Sequence, residues 1–511
     1  MSIISAYVRE DWYYSVNDLK SIFSFDAMTY GSEDEAKRRF KIYIKELLSR
    51  NILKNKKKSS ADKADIEFRN YDDSDLVKEN KRYKFNFVGI VICQSRIAYV
   101  YPKYIGTASA LPTYEPREEL AQVIKVIEKY SKEKSKQDIR NVNFFVDEDD
   151  KGKINILSVM LFLLEDYASN GSYESDEAII EINGSSDIFW EKTIDETCPI
   201  ISDNRPLYVE MYTRKNVNDD CDYVKRLHEC VITCCSREID NAGLYKFFSL
   251  PYVEVSEDEI DSFGDIDYII GHLDTVISIT YDDRKISVLK AIKLYLKSSH
   301  ILDGDTGIQL IGTRTFNLIW EEVCAKVFKS QKGDKTRHPN VTEIEPQIDY
   351  TLINKNFNKK PPTLIELIRQ PVWKKYKKGS KGLTTSTLKP DYVRFESTSG
   401  SKYIFYILDA KYYCPIWADS SIKEQPGVED VIKQYLYYLA YRDILEKYKV
   451  TEVKNYFLMP KRGCDSEVAG FVKLDMLKEL GLGVVEVRML SPVMMYDHYL
   501  NNESLPLTEL H

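Results

Sequence analysis

The sequence predicts a multidomain α/β (α+β) protein whose C-terminal part is a mixed central sheet flanked by helices. Three observations predict it. At 511 residues the chain is too long for one compact core and suggests two to four domains. Its content, 43% hydrophobic and 30% charged, is that of a folded globular protein rather than a disordered one. Apolar residues recur with a period near 3.6 in some segments and near 2 in others, so helices and strands alternate along the chain.

The first domain is expected over residues 1–110. In SVNDLKSIFSF, Ser15 stands where a helix N-cap belongs, and SEDEAKRRFKIYIKELLSRNIL opens with acids in its first turn. Phe40, Tyr43, Ile44, Leu47 and Leu48 form its apolar stripe. Lys54 to Lys58 and the polar stretch to Tyr83 read as an exposed loop. YKFNFVGIVIC and SRIAYVYPKYI then make a β-hairpin turning around Cys93 to Ser95. Helices followed by a basic stretch and strands give a winged-helix-like unit, read here as a module for partner contact.

A middle α/β domain is expected over 111–312, as a scaffold for partner interaction. REELAQVIKVIEKYSKEK and NILSVMLFLLEDYASNG are helical, the second ended by Asn170–Gly171. AIIEINGSSDIFWEKTI gives a strand, a turn at Asn183–Gly184 and a second strand or short helix, and RPLYVEMYTRK a further strand. Val224 to Arg237, Ile266 to Ile279 and Arg284 to Lys297 read as helices.

Several function classes are excluded or disfavoured. No stretch reaches the ~20 apolar residues of a membrane span. The start, MSIISAYVREDWYY, lacks a charged segment followed by an apolar one, so a cytoplasmic location is expected. The nine cysteines are scattered, as in a reducing compartment. Cys221, His228, Cys230, Cys234 and Cys235 cluster without any paired C-x-x-C, and packing is the favoured reading over zinc. There is no G-x-x-x-x-G-K-[ST] loop; QKGDKT at Gln331 to Thr336 lacks its first glycine, so the chain is not expected to hydrolyse GTP or ATP. H-E-x-x-H and G-x-S-x-G are absent too, and none of the six histidines lies near the motifs described next.

The chemistry concentrates in a third domain, 313–511. KPDYVRFESTSGSKYIFYILDAKYY places Asp391 at the start of one strand and Asp409–Ala410–Lys411 at the end of the next. Residues two apart in a strand share a face, so Asp409 and Lys411 project together. Two carboxylates and a lysine at a sheet rim suit metal-dependent phosphodiester hydrolysis: oxygen ligands hold a hard divalent cation, with the Ala410 carbonyl as a helper, and the lysine orients water. Upstream, FNLIWEEVCAKVF is an amphipathic helix with Phe316, Trp320, Val323 and Val327 inward and Glu321 and Glu322 beside that stripe. Glu321 is the favoured third acid. Downstream, VEDVIKQYLYYLAYRDIL is a helix with Gln434 and Tyr438 on one face, placed to brace the lysine or touch a nucleic-acid backbone. Then KNYFLMP and VVEVRMLS are strands.

Glu321, Pro390–Asp391, Asp409–Ala410–Lys411, Gln434 and Tyr438, in that order, resemble the PD-(D/E)xK nuclease superfamily. The flanking PGVEDVIKQYLYYLAY, NGSSDIFWEKTI and RPLYVEMYTRK resemble a narrower group, the LlaJI family of restriction endonuclease subunits, related to the McrC nuclease component. The similarity runs from about Phe85 onward. The resemblance implies a restriction endonuclease subunit that cuts double-stranded DNA with Mg²⁺, beside a separate McrB-like AAA+ subunit that binds and hydrolyses GTP. Asp391, Asp409 and Glu321 would be metal ligands, and Lys411 catalytic with them. An adaptor with a decayed nuclease fold and a repair nuclease or RNase of the same fold are the rival readings.

Net charge, −8, is low for a protein acting on DNA, but charge is unevenly spread. PVWKKYKKGSKGLTTSTLK, leading into Asp391, carries Lys374, Lys375, Lys377, Lys378 and Lys381 among Trp373 and Tyr376 and has no acid. Its position favours contact with phosphates over a merely solvated loop.

Overall fold

The structure, a computed structural model, describes residues 3–55, 78, 80–106, 115–134, 156–174, 178–185, 187–202, 205–216, 222–248, 250–297, 308–330, 341–344, 346–349, 361–376, 382–398, 402–450, 452–463 and 466–510. Lys377, Lys378 and Lys381, Cys221, the stretch 331–336 and nearly all of the polar loop before Tyr83 lie outside these residues. The chain is mixed α/β, with several sheets and twelve α-helices among the described residues. It divides into two compact units: the described residues up to 134 and from 310 onward make one, and residues 156–309 the other.

In the first unit, the helix Val16–Ile22 opens with a capping box in which Ser15 and Asp18 bond each other's backbone N–H. Ser32 caps Glu33–Ser49, which buries Phe40, Tyr43, Ile44 and Leu47. A small antiparallel sheet follows, in the order Tyr13–Ser15, Arg82–Phe85, Leu53–Asn55. The expected hairpin is present: Val88–Cys93 pairs antiparallel with Arg96–Tyr101. Its two-residue turn, Gln94 (φ 50°) and Ser95 (φ 56°), is left-handed at both positions, the conformation that matches strand twist. The buried Arg96 guanidinium donates to the carbonyls of Phe23 and Gln94 and lies 4.3 Å from the Phe25 ring centre, tying the hairpin to the helices.

The hairpin belongs to a four-stranded sheet ordered Ile4–Arg9, Arg96–Tyr101, Val88–Cys93, Ile308–Thr313. Gly89 and Gly312 permit the last pairing. A Cβ on Gly89 would stand 2.0 Å from the Ile311 carbonyl oxygen, and one on Gly312 2.0 Å from that of Val88. Both have positive φ, so a side chain is refused twice over.

The sheet that carries the Asp391 and Asp409 motifs has five strands, ordered Tyr392–Thr398, Lys402–Ala410, Glu452–Pro460, Val485–Leu490, Ser466–Val472. The outer pairs are antiparallel and the inner two pairings parallel. This is the mixed sheet the sequence predicts. The helix Val428–Lys447 covers one face. Tyr437, Tyr441, Ile444 and Leu445 pack with Val393, Phe395, Phe405 and Ile407. Val431 and Tyr435 pack with Phe457, Met459 and Val487. Burying such side chains contributes roughly 1.5–3 kcal/mol each, which fixes the helix over the sheet. The helix Phe316–Val327 is anchored by Trp320, fully buried, whose indole N–H donates to the Leu458 carbonyl at 3.1 Å.

Some elements differ from the sequence expectation. Ser466–Val472 is an edge strand and Pro492–Asn501 a helix, neither anticipated. Two short hairpins also appear, Val372–Trp373 with Leu383–Thr384 and Ile416–Ala418 with Ser421–Lys423. A short 3-10 turn, Ile365–Leu367, lies before the first of these hairpins.

The second unit holds helices Ile156–Asn170, Tyr223–Asn241, Ile266–Ile279 and Asp283–Lys297 and a three-stranded sheet ordered Ala178–Ile182, Tyr212–Asn216, Asp187–Ile188. RPLYVEMYTRK is two strands rather than one, Arg205–Leu207 and Tyr212–Asn216. Cys230, Cys235 and His228 are buried along Tyr223–Asn241; the Cys230 thiol donates to the Asp258 carbonyl at 3.2 Å, and the Tyr173 N–H donates to His228 Nδ1 at 2.9 Å. Burial pushes the His228 imidazole down to about 4, so it is neutral there.

Candidate active site

Register brings the first two carboxylates together. Tyr392 pairs with Leu408 across the first two strands of the five-stranded sheet. One step further toward the strand ends, Asp391 comes opposite Asp409, and neighbours directly across an antiparallel pair lie about 4.5–5.5 Å apart at Cβ. The period-2 alternation then puts both on the face of Val393, Phe395, Phe405 and Ile407, the face beneath the helix Val428–Lys447. The Asp391 carboxyl reaches hydrogen-bonding range of Asp409 and feels the charge of Glu321. Its pKa is driven far above the usual carboxylate range, first by burial, then by Asp409 and Glu321, with Lys411 opposing.

Lys411 completes the cluster. Its backbone N–H donates to the Leu458 carbonyl at 2.9 Å, extending the parallel pairing one residue beyond the strand. Its Nζ lies 2.9 Å from Asp409 Oδ2 and 3.2 Å from Asp430 Oδ1. Burial works against the charged ammonium, but Asp409, Asp430 and Asp391 together outweigh it and raise its pKa. The lysine is therefore a fixed cation held against carboxylates.

The remaining residues can be placed one by one. Of the two acids on Phe316–Val327, Glu321 is the one within electrostatic reach of Asp391, whereas Glu322 lies 3.7 Å from Lys326. Gln434 is wholly buried, and neither its Oε1 nor its Nε2 has a hydrogen-bond partner among the described residues. Tyr438 is half-buried against the apolar cluster under the helix. Its neighbour Tyr437 is the tyrosine whose pKa burial, Asp409 and Asp391 raise; its hydroxyl donates to the Lys389 carbonyl at 3.1 Å. Asp430 and Tyr437 were not anticipated from sequence. Asp430 lies one helical turn before Gln434, and that i, i+4 spacing was the available signal. Lys374 and Lys375 are exposed beside Trp373 and Tyr376, also exposed.

Among the described residues, no three His, Cys, Asp or Glu side chains are already gathered as a complete metal cage. Mg²⁺ does not require one: it is commonly held by one or two carboxylates, with water and substrate phosphate filling the rest. Two carboxylates pressed together beside a third acid fit such an ion, because its charge relieves their repulsion.

The chain is similar to known restriction proteins. A model of the family described as LlaJI restriction endonuclease matches residues 87–365 and 354–492. A Bacillus subtilis (strain 168) protein described as type II restriction enzyme BsuMI component YdjA is 28% identical over 433 residues, 83% of this chain and 83% of that protein. Among solved structures, an assembly of Thermococcus gammatolerans McrB AAA+ hexamers with bound McrC matches at 11% identity with a TM-score of 0.36, over 98% of this chain and 99% of that one. The Thermococcus gammatolerans McrBC complex matches at 12% identity and TM-score 0.23, over 57% of this chain and 79% of that one.

Proposed function

This chain belongs to the LlaJI restriction endonuclease family, and from that premise we propose that it is the DNA-cutting subunit of its restriction system, hydrolysing phosphodiesters of double-stranded DNA with Mg²⁺ in a PD-(D/E)xK-type site. The observation that carries the reading is the convergence of Asp391, Asp409 and Lys411 at the ends of two paired strands.

Asp391 and Asp409 would hold the cation, with Glu321 as a further acid. When bound, the ion supplies positive charge at the scissile phosphate and makes bound water easier to deprotonate. The chain's own groups do the rest. Lys411 presents a fixed ammonium that orients the attacking water and offsets charge growing on the phosphoryl oxygens. Gln434, buried without a partner among the described residues, keeps its amide ready for a water or a substrate oxygen; leaving such a group unsatisfied costs roughly 1–3 kcal/mol, a cost substrate binding would relieve. Lys374 and Lys375, with the basic loop they begin, contact backbone phosphates without reading sequence. The resemblance to McrC-related subunits implies an AAA+ partner that binds and hydrolyses GTP, with this chain's N-terminal region docking onto it in the cytoplasm. Co-purification with a candidate McrB-like AAA+ subunit, followed by cleavage assays with and without GTP and Mg²⁺, tests the reading. Cleavage that needs Mg²⁺ and is lost in Asp409→Asn supports it; a chain that never cuts DNA under any of these conditions refutes it.

A further inference from the structure

Lys411 has two carboxylate partners, and they differ in what else they must do. Asp409 stands on the same strand end and, under the nuclease reading, also faces the cation. Asp430 stands on a different element, in the first turn of the helix Val428–Lys447, where an acid is favoured by the helix dipole. The distances to the ammonium are similar, 2.9 Å and 3.2 Å. Lys433 lies 3.7 Å from the same Asp430 oxygen and is half exposed, so it does not compete closely for it.

We propose that Asp430 is a positioning residue that holds the Lys411 ammonium in place when Asp409 engages a divalent cation, a role that rests on the nuclease reading above. Three physical points carry it. A carboxylate facing a doubly charged ion is drawn toward that ion, and its grip on a neighbouring ammonium weakens. A divalent cation and an ammonium repel each other, so a lysine tied only to Asp409 would be pushed away as the ion arrives. Lysine also has a four-carbon flexible stem with no fork geometry, so one contact does not fix it. Asp430 answers all three: it approaches from the helix, lies outside the two-strand carboxylate pair, and meets the ammonium at hydrogen-bonding distance.

The helix position supports the assignment. Asp430 and Gln434 are four residues apart and share a face. Gln434 is buried with its amide unpartnered among the described residues, and Tyr437, one residue short of the next turn, feels Asp409 and Asp391. The first turns of this helix therefore address the site with polar groups, whereas its later turns bury Tyr441, Ile444 and Leu445 in an apolar cluster.

The test uses the full chain, with its GTPase partner wherever cleavage requires it, and compares wild type, Asp430→Asn, Asp430→Glu and Asp409→Asn. Three quantities are read: single-turnover cleavage rate, KM for DNA, and Mn²⁺ binding by electron paramagnetic resonance in the absence of DNA. Asp430→Asn is expected to cut about 10- to 100-fold more slowly, the scale of a misplaced catalytic group. Its KM should stay within about twofold, since a positioning defect acts on the chemical step. Its Mn²⁺ affinity should be undiminished, and Asp430→Glu should recover most of the lost rate. Asp409→Asn should lose Mn²⁺ binding as well as cleavage. Wild-type cleavage by Asp430→Asn overturns the proposal, and so does parallel loss of Mn²⁺ binding in that variant. A wild-type chain that neither binds Mn²⁺ nor cuts DNA instead removes the nuclease reading itself, and the proposal with it.

Discussion

Trp320 and Lys411 share one hydrogen-bond acceptor. The Trp320 indole N–H and the Lys411 backbone N–H both donate to the Leu458 carbonyl, at 3.1 Å and 2.9 Å. One peptide group on the central strand thus locates both the helix that carries Glu321 and the backbone of the lysine proposed to be catalytic. Trp320→Phe keeps most of the buried volume and removes one donor. It should cost about 1 kcal/mol in urea unfolding, the net value of one hydrogen bond. Trp320→Ala should cost about 3–5 kcal/mol, because a cavity is added. Cleavage by Trp320→Phe should slow more than its modest stability loss would suggest, since Glu321 neighbours the freed ring.

Glu10 gives the first unit a pH dependence. Its carboxylate accepts a hydrogen bond from the Tyr412 hydroxyl and another from the Lys103 backbone N–H. Burial pushes its pKa up from 4.5 to about 7, with Tyr412 and Lys103 opposing and Asp11 adding to the rise. The sign follows from proton counting. Between those two values the unfolded chain has released the proton and the folded chain still holds it, so stability falls as pH rises through that window and levels above it. Glu10→Gln keeps an acceptor for both donors and removes the titration. Thermal melts should show wild type losing stability from about pH 4.5 to about pH 7 and the variant losing less, with its gain at pH 8 and none at pH 4.

Lys374 and Lys375 should act on binding and not on chemistry. Replacing both with alanine should raise KM for DNA with little change in kcat. If both lysines neutralise phosphates, the slope of log K against log salt should become shallower by about 0.9 for each phosphate that is no longer neutralised. A double variant with an unchanged salt slope would remove these lysines from the DNA interface.

The strand pair was legible in the sequence because the candidate site sits where simple periodicity ends. A run of β-formers from Tyr403 to Leu408 stops at Asp409, and alternation alone places Asp409 and Lys411 on one face. Asp430 was hidden because an acid in a helix's first turn is commonplace, and only tertiary structure shows that it meets Lys411. The tyrosine assignment depended on helix phase. Tyr435, Tyr437, Tyr438 and Tyr441 all lie in one helix, and the spacing from Gln434 favours Tyr438, yet Tyr437 is the one that feels the carboxylates. Ser466–Val472 escaped notice because Ala469 and Gly470 interrupt its apolar pattern. The hairpin of Val372–Trp373 and Leu383–Thr384 has two residues per strand, too few for any period to register.

Gln434 offers a check on whether its buried amide serves the substrate. Gln434→Leu removes both unsatisfied atoms at similar volume, so the protein should unfold at an equal or higher denaturant concentration. Cleavage should nonetheless fall. A variant that gains stability and keeps its full rate would make Gln434 a packing residue only.

The most direct measurement is cleavage of duplex DNA by wild type and Lys411→Ala, each with the proposed GTPase partner, GTP and Mg²⁺, with folding checked by circular dichroism. The account predicts scission by wild type, none when the cation is chelated, and a rate at least about 100-fold lower in the folded variant, as when one group that stabilises transition-state charge is removed. A folded Lys411→Ala protein that cuts at the wild-type rate would contradict it.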